Sequence, residues 1–336
     1  MSADAILLVS FGGPEGRDDV IPFLENVLRG RRVSPERMLE VAEHYYHFDG
    51  VSPINSQNRR LIAAVEEELS QHDIQLPVYW GNRNWHPLLT DTLRQMRNDG
   101  IQRALAFFTS TFSSYSGCRQ YREHIELALD ELGERAPRVE KLRMGFNHPG
   151  FIEAMADRVN HALRQVPAKR RNKAAIVFTA HSIPVAMAKW CDYERQLWES
   201  CQLIVDKIQH QRWTLAFQSR SGLPSQPWLE PDVNDYLRTV SAQSNSKDIV
   251  IAPIGFVSDH MEVIFDLDIE AKQTCDELGL RMVRAKTVGT HPKFVSMIRQ
   301  LIEERISDTA DRLFLGDLGA SHDVCPIDCC LSGRGN

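Results

Sequence analysis

Glu262, Asp266 and Glu270 recur every fourth residue. An α-helix turns about 100° per residue, so residues four apart drift by only about 40° and these three acids share one face. Like charges at that spacing repel and cost helix stability. The row is therefore either a solvated acidic face or a path for a cation or for protons. It follows an apolar run at 249–253 and the loop Ser258-Asp259-His260-Met261. A second apolar run ends in Ala180-His181-Ser182-Ile183-Pro184. Imidazole with carboxylates is a mixed nitrogen and oxygen set that suits a divalent transition metal. The same groups suit proton transfer near neutral pH. They do not resemble a closed structural zinc site, which takes four protein ligands.

These residues need a scaffold that places strand ends together. Apolar runs alternate with helical patterns along the chain, which predicts an α/β fold with parallel sheets. Strands are expected at 5–11, 77–81, 103–109, 174–179, 214–218 and 249–253. Helices are expected at 20–28, 59–69, 88–98, 119–132, 190–209, 259–278 and 291–305. The order strand, helix, strand, helix, strand occurs twice, so we expect two similar Rossmann-like units, 1–148 and 149–289, with a cleft between them. The helix at 290–310 is expected to pack back on the first unit. After residue 311 the chain turns Gly-, Ser- and Cys-rich, which predicts a loosely structured tail over 311–336. In such folds ligands bind beyond the carboxyl ends of the strands. The glycines of Gly12-Gly13-Pro14-Glu15-Gly16 lack the spacing of a pyrophosphate loop.

The bulk numbers narrow the function classes. The 336 residues are 43% hydrophobic and 25% charged, as in globular proteins. A formal net charge of −6 gives no electrostatic footprint for nucleic acid. The N-terminus enters a short apolar run with no basic segment before it, which reads as a first strand rather than a leader. No apolar stretch reaches the roughly 18 residues that would span a bilayer. These features predict a cytoplasmic protein, and we expect a monomer. Of seven cysteines, Cys118, Cys191, Cys201 and Cys275 are scattered, while Cys325, Cys329 and Cys330 crowd one end. A disulfide framework is not expected in a cytosolic chain of this size.

Ala180-His181-Ser182-Ile183-Pro184 taken with Ser258-Asp259-His260-Met261-Glu262 resembles the paired signature of the ferrochelatases, which insert ferrous iron into a porphyrin late in haem synthesis. The resemblance runs from about residue 6 to residue 305. It includes Leu7-Leu-Val-Ser-Phe-Gly-Gly-Pro14, Gly50-Val-Ser-Pro-Ile-Asn55, and Gln218-Ser-Arg-Ser-Gly222 with Pro227-Trp228-Leu229. Gly81-Asn-Arg-Asn-Trp-His-Pro87 and Ser113-Ser-Tyr-Ser-Gly-Cys-Arg-Gln-Tyr121 look most like the actinobacterial type, a branch associated with coproporphyrin III. The resemblance implies His181 and Glu262 as the catalytic and Fe²⁺-contacting pair, with Asp266 and Glu270 along a metal or proton path. It implies porphyrin contacts at Ser52 and Tyr121, and Phe11 could stack on the macrocycle. Arg29 and Arg31 lie in a basic segment that could add charge for carboxylates. Phe11 departs from the Tyr of firmicute coproporphyrin enzymes, and a phenyl ring cannot ligate iron.

Some relatives in that family carry a [2Fe–2S] cluster with three ligands from the C-terminus and one from the first domain. A [2Fe–2S] cluster needs four thiolates or their equivalent. The resemblance therefore implies Cys118, Cys325, Cys329 and Cys330 as its ligands, although the spacing of the last three differs from the animal pattern. A zinc site and unliganded thiols are the alternatives. For the whole chain the alternatives are a protoporphyrin IX ferrochelatase, a chelatase for another tetrapyrrole or metal, and a non-catalytic porphyrin- or haem-binding protein. Other enzymes of the haem pathway are possible partners.

Overall fold

The computed structural model describes residues 3–30, 33–222, 225–243, 247–307 and 309–333. Among them are two four-stranded sheets. The first holds β1 (Ala5–Ser10), β2 (Val78–Asn82), β3 (Arg103–Phe108) and β4 (Arg138–Lys141) in the order β2-β1-β3-β4. The second holds β5 (Ala175–His181), β6 (Trp213–Gln218), β7 (Asp248–Ala252) and β8 (Arg281–Arg284) in the order β6-β5-β7-β8. Every pairing within them is parallel. Both sheets thus repeat one winding, as the twofold order of runs predicts.

Buried parallel strands read as continuous apolar runs because helices cover both faces. β1 and β7 are buried along their whole length. One continuous apolar core joins the sheets, from Ile6, Leu8 and Phe107 to Ile176, Phe178 and Val250. The helix Pro292–Ile306 closes this core. Phe294 meets Phe107 edge-on at 6.2 Å, and Arg299 pairs with Glu68 of the helix Ile54–Gln71 at 2.9 Å.

In each sheet the chain leaves the first strand toward one side and returns on the other, which opens a crevice beyond the strand ends. In the second sheet that crevice lies between β5 and β7. Glycine sets the approach there. A Cβ on Gly255, just after β7, would stand 2.7 Å from the Ala180 Cα, so only glycine lets the loop lie against the end of β5.

Three expectations need correction. Residues 259–278 are not one α-helix. A short turn, Met261–Val263, leads into a π-helix, Ile264–Ala271, and then into an α-helix, Lys272–Glu277. The wider i→i+5 turn reverses the drift between residues four apart, so Asp266 and Glu270 still stay in line. The edge strands β4 and β8 were not expected. The tail is irregular but pinned. Asn147 donates to the carbonyls of Leu315 and Gly319, each at 2.9 Å, and Arg119 donates to those of Ile327 and Cys329 at 2.8 and 2.9 Å. Charged and amide side chains of the body supply the hydrogen bonds that a tail without regular structure cannot make for itself.

Candidate functional site

His181 is the last residue of β5. Its Nδ1–H donates to the Ser182 carbonyl at 2.5 Å, which fixes the tautomer and leaves Nε2 as the basic nitrogen. Nε2 faces the Glu262 carboxylate at 3.6 Å. Tyr193 donates its hydroxyl to the His181 carbonyl at 3.0 Å and holds the strand end from below.

Glu262 is aimed by its neighbours. Met261 is buried in an apolar wall with Phe23, Leu24 and Tyr45, from the helices Val20–Leu28 and Pro35–Tyr46. Burying side chains of this size contributes about 1.5–3 kcal/mol each. With Met261 turned into the wall, Glu262 turns out toward His181. His260 caps the short turn, its Nδ1 accepting the Glu262 N–H at 3.1 Å. The preceding residue is tied from far away. The Gln57 amide donates to the Asp259 carbonyl at 3.0 Å and accepts the Asp259 N–H at 2.9 Å. Arg284 adds an ion pair to the Asp259 carboxylate at 2.9 Å and another to Asp268.

The charges are tuned. Burial works to lower the His181 pKa, but the Glu262 carboxylate, its bond to the Ser182 carbonyl and Asp266 outweigh it, so His181 stands above the ordinary value. Burial lowers the His260 pKa against the pull of Glu262. Asp266 is half-buried, and burial raises its pKa to about 7 against a hydrogen bond from Ser219, with Glu262 and Glu270 adding to the rise. Gln218 also donates to Asp266 at 3.3 Å. Burial and Asp232 raise Glu270. A carboxyl that titrates near neutrality can both hold a cation and release a proton. Asp266→Asn keeps the shape and removes the titration. If the row serves the Fe²⁺ that the resemblance implies, this variant raises the iron concentration needed for half-maximal turnover and lowers kcat less. Initial rates against iron concentration check this; an unchanged iron requirement would favour a merely solvated acidic face.

Phe11, Arg83 and Tyr121 form a second group, at the strand ends of the first sheet. The Arg83 guanidinium lies 5.7 Å from the Phe11 ring and 4.6 Å from that of Tyr121. Tyr121 and Ser52 are buried, 5% and 4% exposed, and Ser52 is packed under Gly13. Arg29 bonds the Asn26 side chain at 2.5 Å, and Arg31 lies outside the described residues. The structure thus groups His181, Glu262 and Asp266, sets Glu270 further along, and sets Phe11 and Tyr121 around a cation. Sequence reasoning passed over Gln57, Arg83 and Ser219 as site residues. Arg83 and Ser219 stood in the motifs that carried the resemblance, where strand-end position was a signal; Gln57 had none.

The tail cysteines come together with Cys118. Cys118 lies in a π turn, Tyr115–Arg119, beyond β3. Cys325 packs beside it; the neighbouring thiol and burial raise the Cys118 pKa, and Cys118 lowers that of Cys325. The Cys329 and Cys330 sulfurs are 3.4 Å apart. Cys330 adopts the left-handed backbone, φ 56°, that lets adjacent residues turn sharply. Cys201 and Cys275 are buried on helices.

A family model described as Ferrochelatase matches residues 3–306. A protein named "Ferrochelatase" from Rhodopirellula baltica is 61% identical over 98% of this chain and 93% of its own. A "Coproporphyrin III ferrochelatase" from Streptomyces coelicolor is 49% identical over 97% and 93%, and one from Nocardia farcinica 47% over 99% and 98%. Among solved structures, SirB from Bacillus subtilis with Fe³⁺ matches with a TM-score of 0.57 at 12% identity, over 93% of this chain and all of that one. That likeness concerns the fold.

Proposed function

The chain belongs to the ferrochelatase family of metal-inserting lyases, and from that premise we propose that it inserts Fe²⁺ into coproporphyrin III to give the iron coproporphyrin of haem synthesis. The observation that carries the reaction is the His181–Glu262 pair at 3.6 Å in the crevice between β5 and β7. A porphyrin loses two N–H protons as Fe²⁺ enters, so the products are the iron porphyrin and two H⁺. His181 Nε2 is the proton acceptor, and Nε2 with the Glu262 carboxylate is the donor pair that meets the incoming metal. Asp266 and Glu270 carry protons or metal along the π-helix. Phe11 stacks on the macrocycle, and Ser52 and Tyr121 belong to the wall that receives it. Arg83 brings positive charge to that wall, where a substrate with four carboxylates gains most.

The named relatives from Streptomyces and Nocardia favour coproporphyrin III. Coproporphyrin III is accordingly expected to give a higher kcat/KM than protoporphyrin IX in detergent-free assays. A clear preference for protoporphyrin IX would reverse the substrate assignment, and a protein that saturates at one equivalent without turnover would point to a binding role. No helix among the described residues is long and apolar enough to cross a membrane. We read the protein as a cytoplasmic monomer that passes its product to a later enzyme of the same synthesis.

We propose further that Cys118, Cys325, Cys329 and Cys330 hold a [2Fe–2S] cluster. The convergence of the four thiols supports the reading, because their donor chemistry fits the group. Bound there, the cluster supplies one-electron exchange. The residues themselves tie the tail to the loop beyond β3. Purified anaerobically, the protein is expected to contain about two iron and two acid-labile sulfide per chain; stoichiometric zinc without sulfide would replace this assignment.

A further inference from the structure

The thiols are not the only donors at the tail. The His322 Nε2 lies 3.7 Å from the Cys329 sulfur. One ligand atom each from His322, Cys325 and Cys329 all lie within 4.8 Å of one another. Lys141 donates to the His322 carbonyl at 3.1 Å, which holds that stretch of tail against β4.

Cys330 stands differently. It is 2% exposed, and its amide is bonded to the Trp190 carbonyl at 3.1 Å, on the side of the second sheet. It is adjacent in sequence to Cys329, and adjacent residues present both sulfurs to one centre only through the sharp turn seen here. Three donors meet here and Cys118 and Cys330 flank them, so a group that takes four has five candidate ligands.

We propose that His322 is a ligand of this site, exchanging with Cys330 for one iron position; this rests on the cluster reading above. Imidazole is neutral where thiolate is anionic. Moving from four thiolates to three thiolates and an imidazole removes one negative charge from the centre and raises its reduction potential. His322 and Cys330 approach from different anchors, Lys141 in the first half and Trp190 in the second. The choice between them is thus coupled to how the tail sits across the two halves.

The test compares anaerobically purified full-length wild type, Cys330→Ala, His322→Ala and the double variant. Cys330→Ala is expected to keep more than half of the wild-type iron and sulfide. Its reduced cluster is expected to show ¹⁴N hyperfine coupling in pulsed EPR and a more positive midpoint potential than wild type. His322→Ala alone is expected to keep the cluster, and the double variant to lose it. Loss of iron and sulfide in Cys330→Ala, with porphyrin binding intact as a check on folding, would overturn the proposal. So would a retained cluster without nitrogen coupling. If Cys330→Ala does not fold, Cys330→Ser carries the same comparison. Wild type without iron and sulfide would remove the cluster itself, and this proposal with it.

Discussion

His181→Ala is expected to lower kcat for Fe²⁺ insertion by about 10²–10⁴-fold, the range for loss of a general base, while porphyrin affinity stays nearly unchanged. The imidazole is the basic group at the end of β5, and its second nitrogen is already committed to the Ser182 carbonyl. The pH profile carries a signed expectation. His181 accepts a proton only when neutral, and its pKa is raised above the ordinary histidine value. Wild-type turnover should therefore fall on the acidic side, with that limb lying above the ordinary histidine pKa. Stopped-flow formation of the iron porphyrin, with fluorescence titration of porphyrin binding, reads both quantities. A variant that keeps more than half of wild-type turnover would remove His181 from the chemistry.

Glu262→Gln is the second large effect. It keeps the shape and removes the charge that faces His181 at 3.6 Å. Loss of a preorganised charge at a reacting centre costs about 10²–10³-fold in kcat, and that is the expected loss here. The variant also carries a second signature. Glu262 raises the pKa of His181, so its neutralisation should move the acidic limb of the remaining activity to lower pH. A damaged fold would lower activity without moving the limb in that direction. If Glu262→Gln and Asp266→Asn were equally harmless, the acids would be ordinary surface groups.

Much of the scaffold was legible because its inner strands carry continuous apolar runs. β1, β3, β5 and β7 announce themselves by run length and composition. Of the four edge strands, β2 and β6 are legible as short apolar runs, whereas β4 and β8 are not. β4 reads Arg-Val-Glu-Lys and β8 Arg-Met-Val-Arg, and charges at a sheet edge look like loop in sequence. The π-helix was also hidden, since residue types do not distinguish i→i+4 from i→i+5 bonding at this length. His181 and Glu262 could be named from strand-end position and resemblance. Gln57 could not: it meets Asp259 across 202 residues, a contact that only the packing of one half on the other creates. The role of Asp266 was legible as charge. Its titration near neutrality was not, because it depends on burial and on the Ser219 hydroxyl.

The two sheets wind alike, yet their equivalent positions carry unequal burdens. In register, His181 at the end of β5 corresponds to Phe11, the residue after β1, whose ring meets that of Phe23 edge-on at 6.2 Å. The same architectural place thus serves fit in one half and ionisation in the other. Mutational tolerance follows that division. At Phe11 a replacement is judged by ring area and packing. At His181 a replacement of similar size can fold normally and still be silent. A repeated scaffold in this way lets one copy of the strand end hold shape and frees the other to ionise.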